Sequence, residues 1–267
     1  MRITPFLKWA GGKRWLLSKE LLAQPRQYSR YIEPFLGGAA VFFQIAPSNS
    51  IVSDINTDLI EFYEVLRDSP MDLYGEMIKH QQCHCEDYYY TQRNSRPSNP
   101  LERASRFLYL NRTCWNGLYR VNLRGEFNVP IGTKSSVVFE TDDYLGASQL
   151  LKQSTIESLD FEEIIERSQE GDFVFVDPPY TVKHNNNNFV KYNEKLFSWS
   201  DQVRLKEAIT RSAKRGAFIV VCNADHQSIH NLYRGIGRYV QLNRCSVLAG
   251  KAVGRKLTTE AMYCINF

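Results

Sequence analysis

Phe173-Val174-Phe175-Val176-Asp177-Pro178-Pro179-Tyr180 is the stretch that decides the fold. Two aromatic and two β-branched residues run without a polar break. That is the pattern of a strand covered on both faces, as in parallel sheets flanked by helices. An acid, a diproline and a tyrosine follow at once, at the carboxyl end of the strand, where open α/β sheets bind ligands. The prolines fix φ and remove two donors, which leaves the Asp177 carboxylate and the Pro178 carbonyl as acceptors. Two converging acceptors suit a planar NH2 group, and the Tyr180 ring can stack on a base.

Working outward, six more runs read as strands: Tyr31–Phe35, Ile51–Asp54, Thr155–Leu159, Ala217–Cys222, Tyr239–Val247 and Ala261–Phe267. Helix-like stretches lie between some of them. In Asp201–Arg215, Val203, Ala208, Ile209 and Ser212 share one face, and Ser200 is placed to cap the first turn. Strands alternating with helices predict a doubly wound α/β sheet. The alternation breaks between about residues 56 and 144. Leu59–Arg67 and Leu101–Asn111 have helical periodicity, and Asn116–Pro130 reads as a hairpin with its tip at Arg124-Gly125-Glu126. The expected organisation is a catalytic domain from residues 1–55 and 145–267, with residues 56–144 inserted as a helical and β-hairpin domain. Asn185–Asn188 reads as a loop.

Composition narrows the class of function. The 267 residues, 43% hydrophobic and 23% charged, suit a globular chain with a core that needs no disulfide. No run approaches the roughly 18–20 apolar residues that span a bilayer. Met1-Arg2-Ile3-Thr4-Pro5 has no apolar leader, so a cytoplasmic location and no membrane partner are expected. The six cysteines are scattered and read as reduced, mostly buried thiols. His80, Cys83, His84 and Cys85 lack a second spaced pair, and no metal is expected. The net charge is only +4, but it is segregated. Between Gln92 and Lys134 stand Arg93, Arg96, Arg103, Arg106, Arg112, Arg120, Arg124 and Lys134, against Glu102 and Glu126 alone. Residues 140–172 hold ten acids against Lys152 and Arg167. Such segregation points to a face for a polyanion.

Two further motifs concern a ligand. Glu33-Pro34-Phe35-Leu36-Gly37-Gly38-Ala39 closes the first strand, with glycines that let the backbone turn and approach a bound molecule. Asp54 closes the next strand, where an acid commonly takes ribose hydroxyls. Together they favour an adenosine-containing cofactor. Phe6-Leu7-Lys8-Trp9-Ala10-Gly11-Gly12-Lys13 fails the nucleotide-triphosphatase pattern, which leaves Lys13 to bind a carboxylate or a phosphate.

In this order the motifs resemble those of the Dam-type DNA adenine-N6 methyltransferases, of the alpha group of amino-methyltransferases, over nearly the whole chain. Lys8–Lys13 is similar to that family's N-terminal cofactor motif, Glu33–Ala39 to its glycine loop and Ser53-Asp54-Ile55-Asn56 to its ribose-side motif. Phe107–Asn111 and Asn116–Pro130 resemble its target-recognition region, and Asp177–Tyr180 its catalytic signature. Trp115 stands where tyrosine is familiar, and Thr133-Lys134 where arginine is. The resemblance implies a Rossmann-like seven-stranded methyltransferase sheet, S-adenosyl-L-methionine as cofactor, and double-stranded DNA as partner at GATC or a related short site. It implies catalysis at Asp177, Pro178, Pro179 and Tyr180, and cofactor contacts from Trp9, Lys13, Phe35, Gly37, Asp54 and Asp177. It implies DNA contacts from Lys8, Trp115, Asn116, Leu118, Arg120, Asn122 and Pro130. Arg120 is the expected guanine reader, and Lys251, Arg255 and Lys256 are expected at phosphates. No obligate protein partner is implied, and a monomer is expected. An RNA or protein amine methyltransferase, or a DNA-binding homologue without activity, remains open at this point.

Overall fold

A computed structural model describes residues 3–117, 119–122, 124–183, 197–245 and 257–267. Leu118, the Asn185–Asn188 run, Lys251, Arg255 and Lys256 lie outside the described residues.

All seven expected strands form. They are β1 (Tyr31–Glu33), β2 (Ser50–Ser53), β3 (Ser154–Glu157), β4 (Phe173–Val176), β5 (Phe218–Ala224), β6 (Arg238–Cys245) and β7 (Leu257–Ile265). They make one sheet in the order β3-β2-β1-β4-β5-β7-β6. β4 pairs in parallel with β1 and with β5, whereas β7 runs antiparallel between β5 and β6. The fold is α/β, a Rossmann-like mixed sheet with helices. Every residue of β4 is buried, as its unbroken apolar run requires. Each such side chain contributes about 1.5–3 kcal/mol by leaving water.

Ten α-helices lie among the described residues. In chain order they are α1 (Arg14–Ser18), α2 (Ala40–Ile45), α3 (Thr57–Asp68), α4 (Pro70–Cys83), α5 (Glu86–Asn94), α6 (Pro100–Thr113), α7 (Tyr144–Leu151), α8 (Phe161–Glu166), α9 (Trp199–Lys214) and α10 (Gln227–Leu232). The sequence resolved three of these and blurred the rest. α9 starts earlier than expected. Ser198, not Ser200, is its cap: the Ser198 side chain accepts from the Asp201 N–H while Asp201 accepts from the Ser198 N–H. That reciprocal box satisfies two helix-end donors and fixes the start at Trp199. Its buried face also differs, because Gln202 and Leu205 go inside and Val203 stays at the margin.

The chain divides into two compact units, Met1–Glu20 with Leu36–Ser158, and Leu21–Phe35 with Leu159–Phe267. In the first, α3 packs on α6 and α7, α4 on α6, and α5 on α6, beside β2 and β3. Asn116–Pro130 is a hairpin with a short ladder: Val121 bridges Phe127, and Asn122 N–H donates to Glu126 O at 2.8 Å. In the second unit, α8 packs on α9, and α9 on β5.

Candidate active site

In the first unit, the glycine loop is built against Trp9. Gly37 has φ +49°, and a β-carbon there would stand 2.8 Å from Trp9 Cδ1, so only glycine admits the indole. The loop is also tied from both sides. Leu36 N–H donates to Ser53 O at 2.8 Å, Gly37 N–H to Asp54 Oδ2 at 3.0 Å, and the buried Tyr63 hydroxyl to Gly37 O at 2.9 Å. The other Asp54 oxygen accepts from the N–H of Asn56 at 3.0 Å, and Asn56 in turn caps α3 through Leu59 N–H. A helix start thus fixes the carboxylate. Burial pushes the Asp54 carboxyl above its ordinary range, against the lowering by backbone donors from Gly37, Asn56 and Ile55. Lys13 is 2% exposed, and its Nζ donates to Gly11 O at 2.7 Å.

Lys8 joins the helical part of this unit. Its N–H and C=O bond the two ends of the Asn111 amide, each at 2.9 Å, and its stem packs so closely on Gly117 that a β-carbon there would meet it. Trp9 stacks on Tyr119, with centroids 5.6 Å apart, and the Tyr119 hydroxyl donates to Asp58 at 2.7 Å. The structure therefore brings together Lys8, Trp9, Gly37, Asp54 and the root of the hairpin.

In the second unit, Asp177 follows β4 directly, with Pro178 buried and Tyr180 half-buried behind it. The Tyr180 hydroxyl donates to Glu260 Oε2 at 2.8 Å. Burial, then the charges of Asp177 and Glu260, holds that phenol well above its ordinary pKa, so it stays protonated. Thr181 donates to Phe197 O at 2.6 Å, and Gln202 pairs with Asn223 beneath it. Phe35 stacks on Phe161 at 5.4 Å and meets Phe197 edge-on at 5.6 Å.

Residues 9–246 match the family described as D12 class N6 adenine-specific DNA methyltransferase. The chain belongs to that family. A type II methyltransferase of Lactococcus lactis subsp. cremoris is 35% identical over 88% of this chain and 86% of its own. A type II methyltransferase of Methanocaldococcus jannaschii is 35% identical over 84% and 85%, and a DNA adenine methylase of Serratia marcescens 30% over 96% and 96%. Of the readings the sequence left open, the family membership selects the DNA enzyme.

The D12-class enzyme wears its basic segment unevenly. Arg120 and Arg124 are exposed on the hairpin, and Arg120 Nε donates to Asn128 at 3.0 Å. Trp115 is 52% exposed beside Asn116, and Trp115 N–H donates to Pro130 O at 2.9 Å. Asn122 is spent on the turn, accepting from Arg124 and Glu126 N–H and donating to the Glu126 carboxylate. Other arginines of the segment are engaged by partners within the unit. Arg112 is buried on Asp142, Arg106 bonds the carbonyls of Gln92 and Arg93, and Arg103 grips Glu61. The positive charge of the segment is thus divided between exposed hairpin arginines and arginines engaged within the fold.

The His80 group is an aromatic cluster. His80 bonds Tyr88 at 2.8 Å and stacks on Tyr109, while His84 bonds Tyr109 at 2.9 Å. Among the described residues no group of three or more His, Cys, Asp or Glu could hold a metal. Among the described residues Cys114, Cys222 and Cys264 are buried and Cys83 and Cys85 exposed, all five as free thiols. Sequence reasoning passed over Glu260 by starting the last strand at Ala261. An acid flanked by Thr258-Thr259 and an apolar strand was the available signal. No helix among the described residues is long and apolar enough to cross a membrane.

Proposed function

We propose that this D12-class enzyme uses S-adenosyl-L-methionine to methylate a flipped adenine in double-stranded DNA at GATC or a related short site. The observation that carries the reading is Asp177-Pro178-Pro179-Tyr180 at the carboxyl end of the buried strand β4. Residues 1–55 with 145–267 form its cofactor and catalytic part, and residues 56–144 its DNA-reading part. It works as a monomer, in the cytoplasm with the DNA it modifies.

The donor set suits the cofactor. Asp54 already accepts backbone N–H groups from Gly37, Asn56 and Ile55, and a carboxylate has about four lone-pair sites, which leaves room for a ribose diol. Gly37 lets the loop backbone run close beneath the Trp9 indole, and Lys13 offers a cation to an amino-acid carboxylate. Phe35 and Asp177 complete the contacts. When bound, the cofactor supplies a methyl group on a sulfonium.

Adenine N6 is a poor nucleophile because its lone pair is delocalised into the ring, and in a duplex it is hidden by stacking. Extrusion of the nucleotide costs a few kcal/mol. Trp115 and Asn116 enter or support the opened stack, and Tyr180 receives the extruded base on its face. Asp177 and the Pro178 carbonyl accept the two amine hydrogens and favour a localised lone pair on N6. Pro179 keeps the turn rigid. Orientation supplies most of the acceleration, and no base is needed before attack. The nitrogen becomes acidic only on methylation, and its proton leaves through Asp177 or water. Lys8, Leu118, Arg120, Asn122 and Pro130 read bases or position the hairpin, with Arg120 matched to the two major-groove acceptors of guanine.

Expression in a host free of adenine methylation, followed by methylation-sensitive sequencing of its DNA, tests the reading. N6-methyladenine at one short motif is expected. Unmodified DNA, or methylation without a motif, contradicts it.

A further inference from the structure

Glu260 lies on β7, opposite Ala224 of β5 on one side and Leu242 of β6 on the other. It is 5% exposed. A carboxylate carried into the middle of a sheet loses its water, and such a group is costly unless donors replace what it lost. On β7 it stands between Thr259 and Ala261, and it faces Ala224 and Leu242 across the sheet. One donor it meets is the phenol of the catalytic motif, with Tyr180 Oη at 2.8 Å from Glu260 Oε2.

The Tyr180 side chain hangs from its α-carbon by two torsions. Pro178 and Pro179 fix the backbone before it, and the bond from Thr181 to Phe197 O with the Gln202–Asn223 pair secures the backbone after it. None of these fixes the swing of the ring about the Cα–Cβ bond. A hydrogen bond at the far end of the ring does, because its acceptor belongs to a strand paired on both sides. Burial and the two nearby carboxylates keep the phenol protonated, so it remains a donor throughout.

We propose that Glu260 is a positioning residue for methyl transfer, which holds the Tyr180 ring by its hydroxyl in the place required to stack the extruded adenine. The proposal rests on the reading that Tyr180 receives the target base. Misplacement of a reacting group by about 1 Å can cost on the order of a hundredfold in rate, so a loosened platform should be visible in the chemical step.

The test uses the full chain with duplex DNA bearing its methylation site for the transfer rate, and the same duplex with 2-aminopurine in place of the target adenine for fluorescence. Glu260→Leu and Tyr180→Phe each remove the tether from one end. Each should lower the single-turnover rate about tenfold, as expected for loss of one hydrogen bond to a charged group. DNA affinity should stay within about threefold, since neither group contacts phosphate. The 2-aminopurine signal of the bound duplex should brighten, because an extruded base over a loose ring is less quenched. The double variant should be no slower than the slower single variant, since both remove the same bond. Glu260→Gln keeps an acceptor and should hold rate and fluorescence near wild type. Rate losses that multiply in the double variant, or wild-type rate and fluorescence in Tyr180→Phe, overturn the proposal. The second outcome does so even where Glu260→Leu does not fold. Tyr180→Ala separates the two layers. If it transfers normally, the stacking role itself is wrong. If it is inactive while Tyr180→Phe and Glu260→Leu are unimpaired, only the tether is wrong.

Discussion

Arg112 holds Asp142 through both terminal nitrogens, at 2.7 and 2.8 Å, inside the first unit. The side chains are 2% and 5% exposed, and the guanidinium also donates to the carbonyls of Val137 and Phe6. A bidentate, fully bonded pair can tolerate burial, but its halves cannot stand alone. Arg112→Ala and Asp142→Ala should each cost about 3–5 kcal/mol by leaving a buried charge without its partner. Their double variant should cost less than the sum. Denaturant midpoints of the four proteins check this.

The exposed arginines should behave differently. Arg120→Ala should cost about 1–3 kcal/mol at the preferred site and relax specificity at one base pair. Arg124→Ala should weaken all sequences alike and reduce the salt slope by about one. Arg103→Ala should leave that slope unchanged, because its guanidinium is engaged by Glu61. Binding isotherms on matched and mismatched duplexes at several salt concentrations separate the three.

Gly37→Ala forces a β-carbon to within 2.8 Å of the Trp9 ring at φ +49°. The left-handed backbone alone costs about 1–2 kcal/mol for a residue with a β-carbon. A lower melting temperature and weaker S-adenosyl-L-methionine binding by calorimetry are expected. Gly125→Ala is the control: it shares a positive φ but meets no atom within 4 Å, so it should destabilise without affecting the cofactor.

The pH dependence has a distinct histidine limb. Burial depresses His80 from 6.5 to about 4, so the fold favours its neutral form. Its contribution is present above pH 6.5 and is lost as pH falls towards 4. The loss amounts to roughly 3 kcal/mol. Asp225, held down to about 2, adds a further loss only below its ordinary 3.8. The lowering comes from hydrogen bonds of Thr259, Gln241, Tyr239 and His230, which outweigh its burial. Unfolding free energies between pH 7 and 4 should fall steeply in wild type and less in His80→Gln.

Much of the fold was legible because strand signals are local. Val174 and Phe175 need only an apolar run to declare a strand buried on both faces. The antiparallel placement of β7 was not legible, because pairing direction is set by the connection between strands and not by composition. The helix start at Ser198 was missed for a similar reason: Ser198 and Ser200 are chemically equal, and only the reciprocal bond with Asp201 distinguishes them. In the candidate site, Gly37 and Asp54 stood out by type and order. The partition of the arginines did not, since Arg112 and Arg120 are chemically alike and only the fold places the first on Asp142 and leaves the second exposed on the hairpin. Glu260 was overlooked because its partner, Tyr180, is eighty residues away in sequence.

The central claim is that Asp177 acts in the chemical step and not in holding DNA. It is tested most directly by single-turnover methyl transfer measured beside DNA affinity for Asp177→Ala. Removal of an acceptor from N6 should lower transfer by about a thousandfold or more, equivalent to roughly 4 kcal/mol of barrier, with the DNA dissociation constant within about threefold of wild type. Near-normal transfer in that variant would contradict the account.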